Sequence, residues 1–247
     1  MMRSRVSAPV LTLESLGTAI ITIRVGPEPH PTAFKIHKEL LCKRSQFFSG
    51  MFSSRFSESR SDVISLPDDT RGGFEVFLNW AYQGALPEFP NQYFPATLTG
   101  ADRFVNVLIQ AFFFAEKYCI NDLQNRIMNT IQDMQNAWKR IPSNTEILSI
   151  YANTKSGSKL RQYCALVIAF HLDHFRVNDE PLFNDIVETF GMNSDFLHDY
   201  LTLQSRFRNQ LTTGLNPRLR VPYLDYDICF FHTHGEGEEC HAMMVFA

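Results

Sequence analysis

The sequence predicts an α+β fold in its first half, followed by a half built from helices. Three patterns carry that expectation. Ile21, Ile23 and Val25 alternate with Ile20, Thr22 and Arg24, the period of a strand with one face well buried. Phe74, Phe77, Leu78 and Ala81 fall at i, i+3, i+4 and i+7, which places them on one face of a helix. Across residues 137–215 the apolar residues keep to helical spacing.

The elements follow in order. Gly26 to Pro31 is turn chemistry, because Gly and Pro set the chain reversal, and Phe34 and Ile36 alternating with Lys35 and His37 supply a hairpin partner. Leu40, Leu41, Phe47, Phe48, Met51 and Phe52 then mark two short helices broken near Arg44-Ser45, with Ser45 as N-cap of the second. Val63 to Leu66 is a third strand closed by Pro67, and Asp68-Asp69-Thr70 caps the helix that Gly84 stops. Residues 86–102 hold three prolines and little periodicity, so a loop or insertion is expected there. Phe104, Leu108, Phe112 and Ala115 stripe a helix whose apolar surface Val105, Ile109 and Phe113 widen, as in the central helix of a domain. Leu123, Ile127, Ile131 and Met134 stripe another.

In the second half, Ser143 and Glu146 have the spacing of a capping box ahead of Ile147, Ile150 and Tyr151. Ser156-Gly157-Ser158 is a turn, and Leu160, Cys164, Val167 and His171 stripe a longer helix. Pro181 stands where a first-turn proline is tolerated, and Gly191 is expected to end that helix. Phe196, Leu197, Tyr200 and Leu201 suggest one more. The expected organisation is a flexible leader at 1–17, an α+β domain at 18–136, a helical extension at 137–215 and an irregular tail at 216–247.

Composition narrows the function classes. The 247 residues are 45% apolar and 20% charged, ordinary for a globular chain with a sizeable core. With 23 basic against 26 acidic residues and no basic run, nucleic acid is not an expected partner. Arg206, Arg208, Arg218 and Arg220 read as a solvated surface. Val107 to Ala115 is too short to span a bilayer, so no membrane association is expected. Five cysteines and no apparent secretory signal point to a reducing intracellular compartment, cytoplasm or nucleus. No phosphate loop or nucleophile elbow appears, so the chain is not expected to be an enzyme and no catalytic residue is assigned.

The run Phe34-Lys35-Ile36-His37-Lys38-Glu39-Leu40-Leu41, with Ser45 and the pair Phe47-Phe48 after it, resembles the most recognisable stretch of the BTB/POZ family. Met51-Phe52, Val63 to Asp69, Phe74 to Gly84 and Ala115-Glu116-Lys117-Tyr118 follow in the family's order and spacing, so the resemblance covers roughly residues 18–136. It implies a three-stranded sheet covered by about five helices, and protein–protein interaction as the function. By order alone, the later helices resemble the BACK-type extension of some BTB proteins, and the tail resembles short fungal members. The family also implies protein partners, among them a cullin-type ubiquitin-ligase scaffold or a second copy of the chain. A transcription-associated or structural scaffold is the alternative. Two departures bear on pairing: Gly17-Thr18-Ala19 stands where many members carry an acidic residue entering the first strand, and residues 1–17 do not supply an exchanged strand.

Candidate chemistry lies in three places. His37 is implied by the resemblance to be a structural histidine hydrogen-bonded within its domain, and Cys42 reads as a small buried apolar residue. Phe56-Ser57-Glu58 is similar to the hydrophobic-x-Glu motif of cullin-binding members, where Phe56 would anchor and Glu58 orient. In the tail, Cys229, His232, His234 and Cys240 crowd soft and borderline ligands as zinc requires; a polar tail, or histidines capping other groups, is the alternative. No other cofactor is expected.

Overall fold

The computed structural model describes residues 16–53, 62–88, 98–174, 180–220, 229–238 and 240. The chain divides into two compact units, Met1–Gln124 and Asn125–Ala247.

The first unit is built on a small sheet. Strand β1 (Ile20–Val25) lies in its centre, antiparallel to β2 (Thr32–His37) and parallel to β3 (Val63–Leu66). The register places Ile23 opposite Phe34 on one side and Ile64 on the other. Because strand side chains alternate faces, Ile21, Ile23, Val25, Ile36, Ile64 and Leu66 are buried together, while Ile20, Arg24 and Val63 face outward. A parallel neighbour needs a crossover, which begins with α1 (Lys38–Arg44) and α2 (Gln46–Ser53).

Helices α3 (Arg71–Gln83) and α4 (Leu98–Lys117) pack against each other in this unit. The Thr70 hydroxyl accepts the Gly73 N–H at 3.2 Å, and Gly84 closes α3 in the left-handed conformation at φ 69°. Gly73 lets the helix backbones approach: a Cβ there would stand 2.9 Å from the Gln110 carbonyl oxygen and 3.1 Å from the Ala111 nitrogen. Phe114 joins this core through Phe77, with ring centroids 5.0 Å apart, and through Tyr118 at 4.5 Å. The small three-stranded sheet followed by many helices is the expected fold class. One boundary differs: α4 begins at Leu98, inside the stretch expected to be loop. Gly100 and Asp102 are poor helix formers and mask that turn, whereas burial of Ala101, Phe104 and Val105 stabilises it.

Helix α5 (Asn121–Ala137) carries the unit boundary and opens the second unit's series: α6 (Asn144–Asn153), α7 (Lys159–His174), α8 (Glu180–Met192), α9 (Ser194–Arg206) and α10 (Arg208–Thr212). The capping box forms, with Ser143 accepting from the Glu146 N–H and Glu146 accepting from the Ser143 N–H. Helix α7 is the centre of this unit, buried along nearly all of Leu160 to Phe170. Arg161, on α7, donates to the Tyr151 carbonyl at 2.7 Å and to the Thr154 carbonyl, satisfying the end of α6. Helix α8 runs past Gly191 to Met192, because Asn193 makes the break by capping α9 through the Phe196 N–H at 2.9 Å. The basic scatter is not uniformly solvated: Arg218 is buried and donates to the Arg140 carbonyl at 3.0 Å, while Arg220 pairs with Asp133. Among the described residues no helix is long and apolar enough to cross a membrane.

Candidate functional site

Among the described residues two places can carry function: an apolar cleft in the first unit and a cysteine–histidine loop in the second.

The cleft has a volume of about 320 Å³ and lies between α2 and β3, with Phe47, Met51, Val63, Leu66 and Tyr118 on its walls. Phe47 is 46% exposed and Val63 43%, a large apolar area for solvent to meet. The local sequence explains the frame. Ser45 caps α2 through the Phe48 N–H at 3.4 Å and donates to the Tyr118 carbonyl at 3.1 Å, fastening α2 to the end of α4. Phe48 turns inward and stacks on Tyr118 at 5.0 Å, which leaves its neighbour Phe47 facing out. Tyr118 in turn donates to the buried Asp69 at 2.7 Å, and Lys117 reaches the same carboxylate at 3.1 Å. Burial, then the hydrogen bond and charge of Asp69, push the Tyr118 hydroxyl well above its ordinary pKa, so it stays a donor. Phe56 and Glu58, expected to bind a partner, lie outside the described residues.

His37 has a structural arrangement. The Tyr82 hydroxyl accepts the His37 backbone N–H at 3.2 Å and shares a second hydrogen bond with the ring Nδ1 at 2.8 Å, joining the β2–α1 corner to the end of α3.

In the second unit, the ligand atoms of Cys229, His232, His234 and Cys240 all lie within 4.8 Å of one another. His232 and Cys240 are buried, at 4% and 7% exposure. His232 Nδ1 stands 3.2 Å from the Cys240 sulfur, and its Nε2 is 2.8 Å from Asn129 Oδ1. As an amide oxygen only accepts, Nε2 carries a proton, and Nδ1 faces the sulfur.

A row of amides on α5 holds this loop. Asn125, Asn129 and Gln132 fall at i, i+4 and i+7 and are buried. Asn125 pairs with the backbone of Thr233 in both directions, donating to its carbonyl at 2.9 Å and accepting its N–H at 2.8 Å. Gln132 donates to the Pro217 carbonyl at 2.9 Å. From α7, Lys159 donates to the Phe230 carbonyl at 2.8 Å, and Tyr163 meets Phe231 edge-on at 5.2 Å. Burial first, then the Arg206 charge, lower the pKa of Lys159. Reading the sequence for apolar stripes missed the amide row, although its helical spacing and lack of charge were visible signals.

The arrangement offers two kinds of chemistry, apolar recognition at the cleft and soft-metal ligation in the loop. Comparison with known proteins bears mainly on the first unit. A family model for the BTB/POZ domain matches residues 21–132. Over 174 residues, 68% of this chain, the sequence is 23% identical to a BTB/POZ domain-containing protein of Arabidopsis thaliana. The chain spans 20% of that protein's length.

Proposed function

We propose that this chain is an adaptor that joins two protein partners and performs no catalysis itself, because the family model for the BTB/POZ domain, a protein-interaction module, matches residues 21–132. The observation that carries the proposal is the domain match. The cleft between α2 and β3 supports it, since exposed Phe47 and Val63 beside Met51 provide the apolar anchor that interfaces concentrate at their centres. The segment 54–61, with Phe56 and Glu58, connects those two elements in the sequence. A cullin-type scaffold is the proposed occupant of this face, with Phe56 adding apolar contact and Glu58 orienting it. The helical extension supplies a second surface for a recruited protein, with Phe183, Val187, Met192 and Leu201 exposed on α8 and α9.

Co-purification tests this reading. Tagged chain expressed in cells should recover a cullin, and Phe56→Ala with Glu58→Ala, or Phe47→Asp alone, should abolish that recovery. Cullin recovery unchanged by both would refute the assigned face. Stable self-association or recovery of chromatin proteins, with no cullin, would favour the second reading, a scaffold outside the ligase system.

A further inference from the structure

We propose that Cys229, His232, His234 and Cys240 bind one zinc ion in a closed structural site that fastens the 229–240 loop onto helix α5. The proposal concerns the second unit and is independent of what the BTB domain binds.

The donor set selects the ion. Two thiolates and two imidazoles, with no oxygen ligand among the four, suit zinc and not a hard cation such as magnesium or calcium. In a tetrahedral site with Zn–S near 2.3 Å and Zn–N near 2.0 Å, neighbouring donor atoms stand about 3.3–3.8 Å apart. The four donors here already lie within 4.8 Å of one another, with His232 Nδ1 and Cys240 Sγ at 3.2 Å. Side-chain movements of roughly 1 Å complete the sphere.

The surroundings also match what a metal-ligating histidine needs. Such a ring presents one nitrogen to the metal and donates the other N–H to a fixed acceptor, which sets its tautomer and orientation. Asn129 is that acceptor, itself buried and fixed on a helix. The Asn125 pair with Thr233 positions the backbone between the two histidines. Beside them, Gly235 donates its N–H to the Glu238 carboxylate at 2.7 Å, and Gly237 at φ 74° turns the chain back toward Cys240.

Charge favours this ligand set. Binding releases one proton from each cysteine thiol to solvent, so two thiolates balance the dication and the site is neutral. Neutrality suits a centre in which His232 and Cys240 are buried, where a net charge would carry a large desolvation cost. The loop has no regular secondary structure across 229–238, so its fixation depends on side chains, as in small zinc-held modules. Closure by metal leaves Gly235, Glu236, Gly237 and Glu238 as an exposed tip.

The test uses the full chain produced without a polyhistidine tag in zinc-supplemented medium, with metal measured by plasma mass spectrometry. One zinc per chain is expected, with near-complete loss in Cys229→Ser/Cys240→Ser and retention in Cys119→Ser. Asn129→Ala should weaken zinc affinity about 10- to 100-fold in a chelator competition, because it removes the acceptor behind His232. Should the cysteine variants fail to fold, cobalt titration of metal-stripped wild-type protein reads the site directly. Tetrahedral cobalt bands with thiolate-to-cobalt charge transfer are then expected. Folded wild-type protein with neither zinc nor a thiolate–cobalt band would overturn the proposal. So would full zinc in the double cysteine variant, or a Cys229–Cys240 disulfide in protein isolated under reducing conditions.

Discussion

Replacing Asn125 with alanine should loosen the 229–238 loop while leaving helix α7 intact. The side chain makes two hydrogen bonds to one backbone unit, to the Thr233 carbonyl at 2.9 Å and from its N–H at 2.8 Å. A neutral hydrogen bond contributes about 1 kcal/mol net, so the pair is worth about 2 kcal/mol. Thr233 is half-buried, so water entering the gap recovers part of any further loss from unpaired groups. If the loop opens locally, about 2 kcal/mol corresponds to roughly 30-fold faster amide exchange at Thr233. Hydrogen exchange read by mass spectrometry or NMR on chelator-treated protein isolates this effect from any metal. Unchanged exchange at Thr233 would refute the clamp. An equal acceleration through residues 159–174 would refute it too, by showing that Asn125 acts on the whole unit and not on the loop.

Gly73→Ala should destabilise the first unit: the added methyl meets Gln110 and Ala111 backbone atoms that cannot swing aside, so an overpacking cost of about 1–3 kcal/mol outweighs the ~1 kcal/mol gain in helix propensity. Calorimetry should show a Tm lower by about 2–4 °C per kcal/mol lost, and a rise would mean the helices have slack. Arg161→Met keeps the buried stem but leaves the Tyr151 and Thr154 carbonyls without their donor, an expected loss of about 2–4 kcal/mol seen as a lower urea midpoint. Cys164 is buried, and burial pushes its thiol well above the ordinary 9.0, so iodoacetamide should label exposed Cys119 in native protein and spare Cys164. The sign of the linked pH effect follows: with the folded pKa raised, this thiol's contribution is intact below about 9.0 and declines as pH rises above it, measurable as falling stability in alkaline unfolding.

Much of the fold is legible in the sequence, for local reasons. The alternation at Ile21, Ile23 and Val25 and the caps at Ser45, Thr70, Ser143 and Gly84 are short-range signals. Each is fixed by which backbone groups need a partner a few residues away. The errors came where local signals were weak or competed: Gly100 and Asp102 obscured the start of α4, and Gly191 looked like a stop that Asn193 supplies instead. The four metal-type ligands were visible because they are close in sequence, and the structure brings their donor atoms together. Asn129 and Asn125 were not legible as their supports, since each acts on a residue 103 or 108 positions away.

The order of strands and helices, the buried face of the central strand and the crowding of cysteine and histidine in the tail follow from periodicity and composition, which depend only on neighbours along the chain. Tertiary packing decided the rest. It turned Phe48 inward against Tyr118 and left Phe47 to line a cleft, and it buried an amide row on α5 where a solvent face would carry charge. Those outcomes come from polar groups that must find partners once water is excluded, and the partners lie far away in the sequence. The same requirement places Asn129 behind His232 and turns its other ring nitrogen toward Cys240.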